Sequence, residues 1–129
     1  MKKGLIIPTI IVVIVLLCSC GKTGAVQKII PDSEIYSKAE IESAMNTVIK
    51  EFRKNFDCCE LLKIEYNDEE TLREAKNYGS GEVMVLLSEF KTGNSFRGSF
   101  EPDSLYQDYK WVLVRRNLGG WKLRNRGYA

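Results

Sequence analysis

Seven apolar residues between positions 41 and 56 constrain the fold most. Ile41, Ala44, Met45, Val48, Ile49, Phe52 and Phe56 recur at three- and four-residue spacings, so on a helix they form one continuous stripe. Glu40, Glu42, Lys50, Arg53 and Lys54 fall off that stripe. Ser37 and Glu40 have the spacing of a capping box, and Tyr36 stands where a hydrophobic staple would meet Ile41. The pattern predicts a helix from Lys38 to about Phe56. A stripe of that length needs a second layer to cover it.

The downstream sequence supplies one. Leu62, Ile64 and Tyr66 alternate with Lys63 and Glu65, as in a half-buried strand. Asn67-Asp68-Glu69-Glu70 opens a short helix with acids at its positive end, and Leu72 and Ala75 are expected to face inward. Tyr78-Gly79-Ser80-Gly81 ends it. Val83 to Leu87 is continuously apolar, which suits a strand covered on both faces. Thr92 to Ser104 reads as a long polar loop, a type that is commonly mobile or functional. Tyr106 to Arg116 reads as a long strand, Asn117-Leu118-Gly119-Gly120 as a turn, and Trp121 to Arg126 as the antiparallel return. The expected class is α+β, with a long N-terminal helix packed across a curved antiparallel sheet in the order α-β-α-β-β-β.

Trp111-Val112-Leu113-Val114-Arg115-Arg116, then Gly119-Gly120-Trp121-Lys122, then Gly127-Tyr128, resemble the closing hairpin of NTF2-like (cystatin-like) domains. Together with Ile41 through Phe56, Leu62-Lys63-Ile64-Glu65-Tyr66 and Val85-Leu86-Leu87-Ser88-Glu89-Phe90, that hairpin resembles an uncharacterised family of small clostridial-type envelope lipoproteins. The resemblance runs from about Ile35 to Tyr128. It implies a fold and transfers no catalytic residue. NTF2-like isomerases and dehydratases place acids and tyrosines at the mouth of a cone between helix and sheet. The matching residue types here are Glu65, Tyr66, Glu82, Glu89, Tyr106 and Tyr109. Alternation sets Glu65 opposite Ile64 and Tyr66, on a solvated face, and the others lie near strand ends. The expectation is a ligand-binding or protein-interaction module, with a concave pocket lined partly by Tyr66, Tyr109 and Trp111. Those aromatics are equally what a small core requires. The alternatives are a histidine-free isomerase or dehydratase using a cone carboxylate, and a purely structural envelope protein.

The first residues carry an address. Lys2 and Lys3 precede an apolar run from Leu5 to Leu17, and Leu17-Cys18-Ser19-Cys20-Gly21 comes next. The run fits the roughly 7–15 residues of a signal h-region and falls short of the about 20 needed to span a bilayer. An aliphatic residue, two small residues and a cysteine resemble the lipobox of bacterial lipoproteins. The resemblance implies cleavage before Cys20, a diacylglyceryl group on its thiol, and residence on the extracytoplasmic face of the cell membrane. Two acyl chains anchor stably where one does not. The expected organisation is a signal peptide over 1–19, a lipidated cysteine and flexible tether over 20–33, and an NTF2-like domain over 34–129.

Composition excludes several classes. There are 19 Lys and Arg against 17 Asp and Glu, and cleavage would remove Lys2 and Lys3 with no acid, leaving a neutral chain. That balance gives no reason to expect nucleic acid. Histidine is absent, which removes the triads and zinc sites that depend on it. No cofactor or metal is expected. Gly21-Lys22-Thr23 imitates a phosphate loop, but Leu16 stands where that motif needs glycine. The acids from Asp68 to Glu70 lack the spacing of a calcium loop.

Charge is nonetheless segregated. Acids crowd Asp57 to Glu74, and Lys110, Arg115, Arg116, Lys122, Arg124 and Arg126 crowd the last hairpin. Lys122, Arg124 and Arg126 are two apart, so a regular strand would set them on one face, opposite Trp121 and Leu123. They would protect an edge strand or form a patch facing anionic lipid or polymer. The expected partners are the membrane, through Cys20, and an envelope protein, a small ligand or an anionic lipid or polymer. Cys58-Cys59 reads either as a buried thiol with an incidental neighbour, or as a vicinal or intermolecular disulfide in an exported protein.

Overall fold

A computed structural model describes residues 23–78, 81–94, 98–117 and 119–128. The segment expected to be a signal peptide, and Cys20, lie outside the described residues. The elements in chain order are β1 (Gln27–Ile29), α1 (Lys38–Asn55), β2 (Cys59–Tyr66), α2 (Asp68–Ala75), β3 (Glu82–Thr92), β4 (Leu105–Arg115) and β5 (Lys122–Gly127). The strands form one sheet in that order. β1 runs parallel to β2, and every other pair is antiparallel. The class is α+β, with an open, mixed five-stranded sheet and two helices.

Two expectations are corrected here. The long helix is preceded by a strand, and the sheet is mixed because that strand is parallel. The segment expected to be a flexible tether contains this strand: Gln27, Lys28 and Ile29 sit opposite Lys63, Ile64 and Glu65. Further back, Arg53 Nη2 donates to Thr23 Oγ1 at 3.0 Å. Among the described residues, no helix is long and apolar enough to cross a membrane.

Helix α1 is capped as its sequence dictates. Ser37 Oγ accepts from the Glu40 N–H at 3.2 Å, and the Ser37 N–H donates to Glu40 Oε1 at 2.9 Å. Each bond satisfies a donor that the helix start leaves without an intrahelical partner. Ile41, Ala44, Met45, Val48 and Phe52 are buried against one face of the sheet, with Leu61, Ile64, Tyr66, Met84, Leu86, Phe90, Trp111 and Leu113. Burial stabilises each large side chain by about 1.5–3 kcal/mol. Val83, Val85 and Val112 form a smaller cluster on the opposite face, with Tyr78, Leu87 and Val114 packed on it. The continuous apolar run in β3 therefore feeds two clusters.

Three register shifts interrupt the ladders, between Leu61 and Lys63, between Ser88 and Phe90, and between Val112 and Leu113. An inserted residue bends its strand and resets which side chains share a face. In β2 it makes Leu61 the buried residue and leaves Leu62 half-buried. In β4 the shift falls beside Asp108, whose φ is 58°, a left-handed conformation that Asp tolerates better than most residues.

Helix α2 faces the other way from its expectation. Leu72 is 57% exposed and Ala75 is also exposed, whereas Thr71 is buried. Polar contacts decide this. β2 ends opposite Leu86, at Tyr66, and one residue further the Val85 N–H donates to Thr71 Oγ1 at 3.0 Å. Lys110 Nζ lies 3.4 Å from Glu70 and 3.2 Å from Glu74. The second helix therefore takes over a strand edge through a hydroxyl and two carboxylates, not through an apolar stripe.

Candidate functional site

The space between α1 and the sheet is occupied by rings. Phe90 lies 5.8, 5.4 and 5.2 Å from the centroids of Phe52, Phe56 and Phe100, and 5.4 and 5.3 Å from Tyr106 and Tyr109. Trp111 is fully buried and its Nε1 donates to Ser88 Oγ at 2.8 Å. Tyr66 is buried with its ring edge-on to Tyr36 at 6.4 Å. Tyr109 is buried with Trp111 at 5.6 Å. The three residues expected to line a pocket are thus members of the main core. Burial pushes the hydroxyls of Tyr66 and Tyr109 above their ordinary range.

The candidate acids are not gathered into that interior. Glu65 pairs with Leu87 and Glu89 with Lys63, on the side away from α1, and Lys63 Nζ lies 3.8 Å from Glu89. Glu82 accepts from Arg115 Nε. Tyr106 Oη accepts from the Glu101 N–H at 2.8 Å.

Loop 93–104 is tied down through its described residues. The Thr92 N–H donates to the Ser104 carbonyl at 2.9 Å, and the Asp103 N–H to that of Gly93 at 3.1 Å. Phe100 joins the aromatic cluster. The Gly93 N–H reaches the Cys58 carbonyl at 2.7 Å, and a Cβ on Gly93 would approach that oxygen to 3.1 Å. Neither Cys58 nor Cys59 is in a disulfide. Cys59 is buried, and burial pushes its thiol up to about 11, which leaves it protonated and unreactive at neutral pH.

The cations of the last hairpin divide into three groups. Arg115 is nearly buried, donates to both Glu40 and Glu82, and lies 4.6 Å above the Trp121 ring. It ties the first turn of α1 to the ends of β3 and β4. Lys110 is taken by α2, as above. The remaining group departs from its expectation. Opposite pairs run Val114–Lys122 and Leu113–Leu123, then Val112–Asn125 and Trp111–Arg126, so Arg124 is the inserted residue. The insertion flips the face of everything after it. Arg126 points to the α1 side, with its guanidinium 5.1 Å from the Phe56 ring centroid. Lys122 and Arg124 stay on the outer side. The shared face expected for Lys122, Arg124 and Arg126 therefore does not exist, because one extra residue breaks the two-residue period.

Lys122 and Arg124 instead border an open groove of about 900 Å³ with Tyr78, Glu82, Val114 and Arg116. Arg124 stands 5.7 Å over the Tyr78 ring, a stacking that restrains a side chain otherwise free to sample many rotamers. Among the described residues, no ion pair involves Arg116, Lys122 or Arg124. The groove's acid, Glu82, is already engaged by Arg115. The result is a concave surface with three cations left over for an external anion. Sequence alone does not single out Tyr78 and Arg116 as site residues, because the one ends a helix and the other closes a strand. The basic crowding of the hairpin is the signal that points to Arg116, and nothing local marks Tyr78.

Compared with known proteins, the chain matches no family model, no curated protein and no solved structure.

Proposed function

We propose that this chain is a lipid-anchored extracytoplasmic binding module whose ligand is anionic and sits in the groove of Arg116, Lys122 and Arg124. The observation that carries the reading is the contrast between an interior filled by aromatic rings and an outer groove whose cations have no carboxylate partner among the described residues. The anchor rests on the lipobox-like Leu17-Cys18-Ser19-Cys20. An NTF2-like fold is supported by one helix packed on one face of a sheet with bulged strands, while the parallel strand β1 departs from an all-antiparallel sheet. The module works by charge and shape, without a reaction.

The test is calorimetric titration of the full chain in detergent with pyrophosphate at physiological salt. Replacing both Lys122 and Arg124 by Gln lowers affinity about tenfold, at roughly 0.7 kcal/mol for each exposed charge. Arg126→Gln leaves affinity within about twofold, because the β5 insertion turns that residue to the other face. Equal losses from Arg126→Gln and from the double variant would show that the groove is not the site. Mass spectrometry of the N-terminal peptide checks the anchor, with a diacylglyceryl group expected on Cys20.

A further inference from the structure

We infer that the free edge of β5 takes up an extended peptide segment of a partner protein, one whose residues alternate between acidic and apolar. This rests on the anion-binding reading of the groove and names the kind of ligand held there. Among the described residues β5 pairs only with β4 and ends the sheet on that side. Its six residues, Lys122–Gly127, offer about 20 Å of backbone edge at roughly 3.3 Å per residue. An unpaired row of N–H and C=O groups is a template for a further strand. The opposite edge, β1, is three residues long, and its Lys28 is held by Glu42 at 3.3 Å.

Two hollows flank that edge, one on each face of the sheet. On the outer face lies the groove of about 900 Å³, which includes Lys122 and Arg124. On the other face an open cleft of about 450 Å³ lies between α1 and β5, lined by Thr47, Lys50, Glu51, Trp121, Lys122 and Leu123. Lys122 borders both. Successive residues of an added strand point to opposite faces, so one set falls beside the groove and the other beside the cleft. Arg116, Lys122 and Arg124 favour carboxylates in the first set. Buried Trp121 and half-buried Leu123 favour apolar side chains in the second. Charge decides against a second copy of this chain as the added strand. Pairing two β5 edges would set Lys122, Arg124 and Arg126 beside the same cations, which destabilises a ladder. An acidic strand reverses the sign of those contacts.

The experiment titrates the full chain in detergent, at physiological salt, with a capped octapeptide of alternating Glu and Val. A control peptide of the same composition carries all its Glu before all its Val. The control is expected to bind at least about tenfold more weakly, because it cannot set its acids on one face of a ladder. K122Q/R124Q is expected to lower affinity for the alternating peptide about tenfold. Hydrogen exchange gives the second readout. The alternating peptide is expected to slow exchange of β5 amides at least about tenfold, whereas pyrophosphate leaves them unchanged. If both peptides bind equally and β5 exchange does not change, charge alone holds the ligand; the inference is overturned while the groove reading stands. If pyrophosphate binds and neither peptide does, strand addition fails and the groove reading again stands. If neither pyrophosphate nor peptide binds, the groove reading itself fails, and the inference with it.

Discussion

Phe90→Ala is expected to destabilise the domain by about 3–5 kcal/mol, the range for truncating a fully buried aromatic. Phe90 is completely buried and touches five other rings drawn from α1, β4 and the connection between β3 and β4. Losing it removes both its own transfer free energy and the contacts its neighbours make, because surrounding helix and sheet collapse only in part. Domains of this size have about 5–15 kcal/mol in total. Each kcal/mol moves Tm by roughly 4–8 °C, so a drop of at least about 12 °C is expected by circular dichroism. A loss below about 1 kcal/mol would mean that the space between helix and sheet is loosely filled, and a hollow interior would again be a candidate binding site.

Arg115→Met has the second-largest expected effect, about 2–3 kcal/mol. Methionine keeps the length of the stem and its packing on Trp121 but removes the hydrogen bonds to two carboxylates, and hydrogen bonds to charged groups contribute about 1.5–3 kcal/mol. The lower part of what a buried pair would give is appropriate, because Glu40 and Glu82 are a third or more exposed. The loss should depend on pH. The Ser37 N–H, and after it the Arg115 guanidinium, hold the Glu40 carboxyl below its ordinary value. A depressed carboxylate contributes stability above its unfolded pKa, and this is lost as pH falls through its folded pKa. The gap between parent and variant should therefore narrow on going from pH 7 to pH 3 in urea titrations. Part of the acid sensitivity stays in the variant, since Ser37 still binds Glu40. A gap that is constant with pH would show that Arg115 acts through packing alone.

Much of the architecture was legible because its signals are local. The stripe from Ile41 to Phe56 and the Ser37–Glu40 box are read within single turns of helix, and the apolar run at Val83 to Leu87 needs no partner to be recognised. The features that escaped depend on distant partners. Gln27-Lys28-Ile29 has no alternation of its own and becomes a strand only because β2 offers an edge. Thr71 turns inward because β2 stops one residue too early to satisfy Val85, a fact invisible in Asp68 to Ala75 alone. The inserted residues at Leu62 and Arg124 leave no mark in composition, yet each reverses the face of the residues after it. That is why Lys122 and Arg126 look like neighbours in sequence and lie on opposite sides of the sheet. The candidate site depends on distant partners in the same way. The aromatics Tyr66, Tyr109 and Trp111 are equally suited to core and pocket by type, and only their packing decides between them.

The most direct measurement is an amide chemical-shift map of the chain titrated with pyrophosphate. Binding at the outer surface predicts that Tyr78, Gly120, Lys122 and Arg124 move with saturation while Tyr66, Tyr109 and Trp111 stay in place. Shifts concentrated at those three core aromatics, with the residues around Arg124 unmoved, would contradict it.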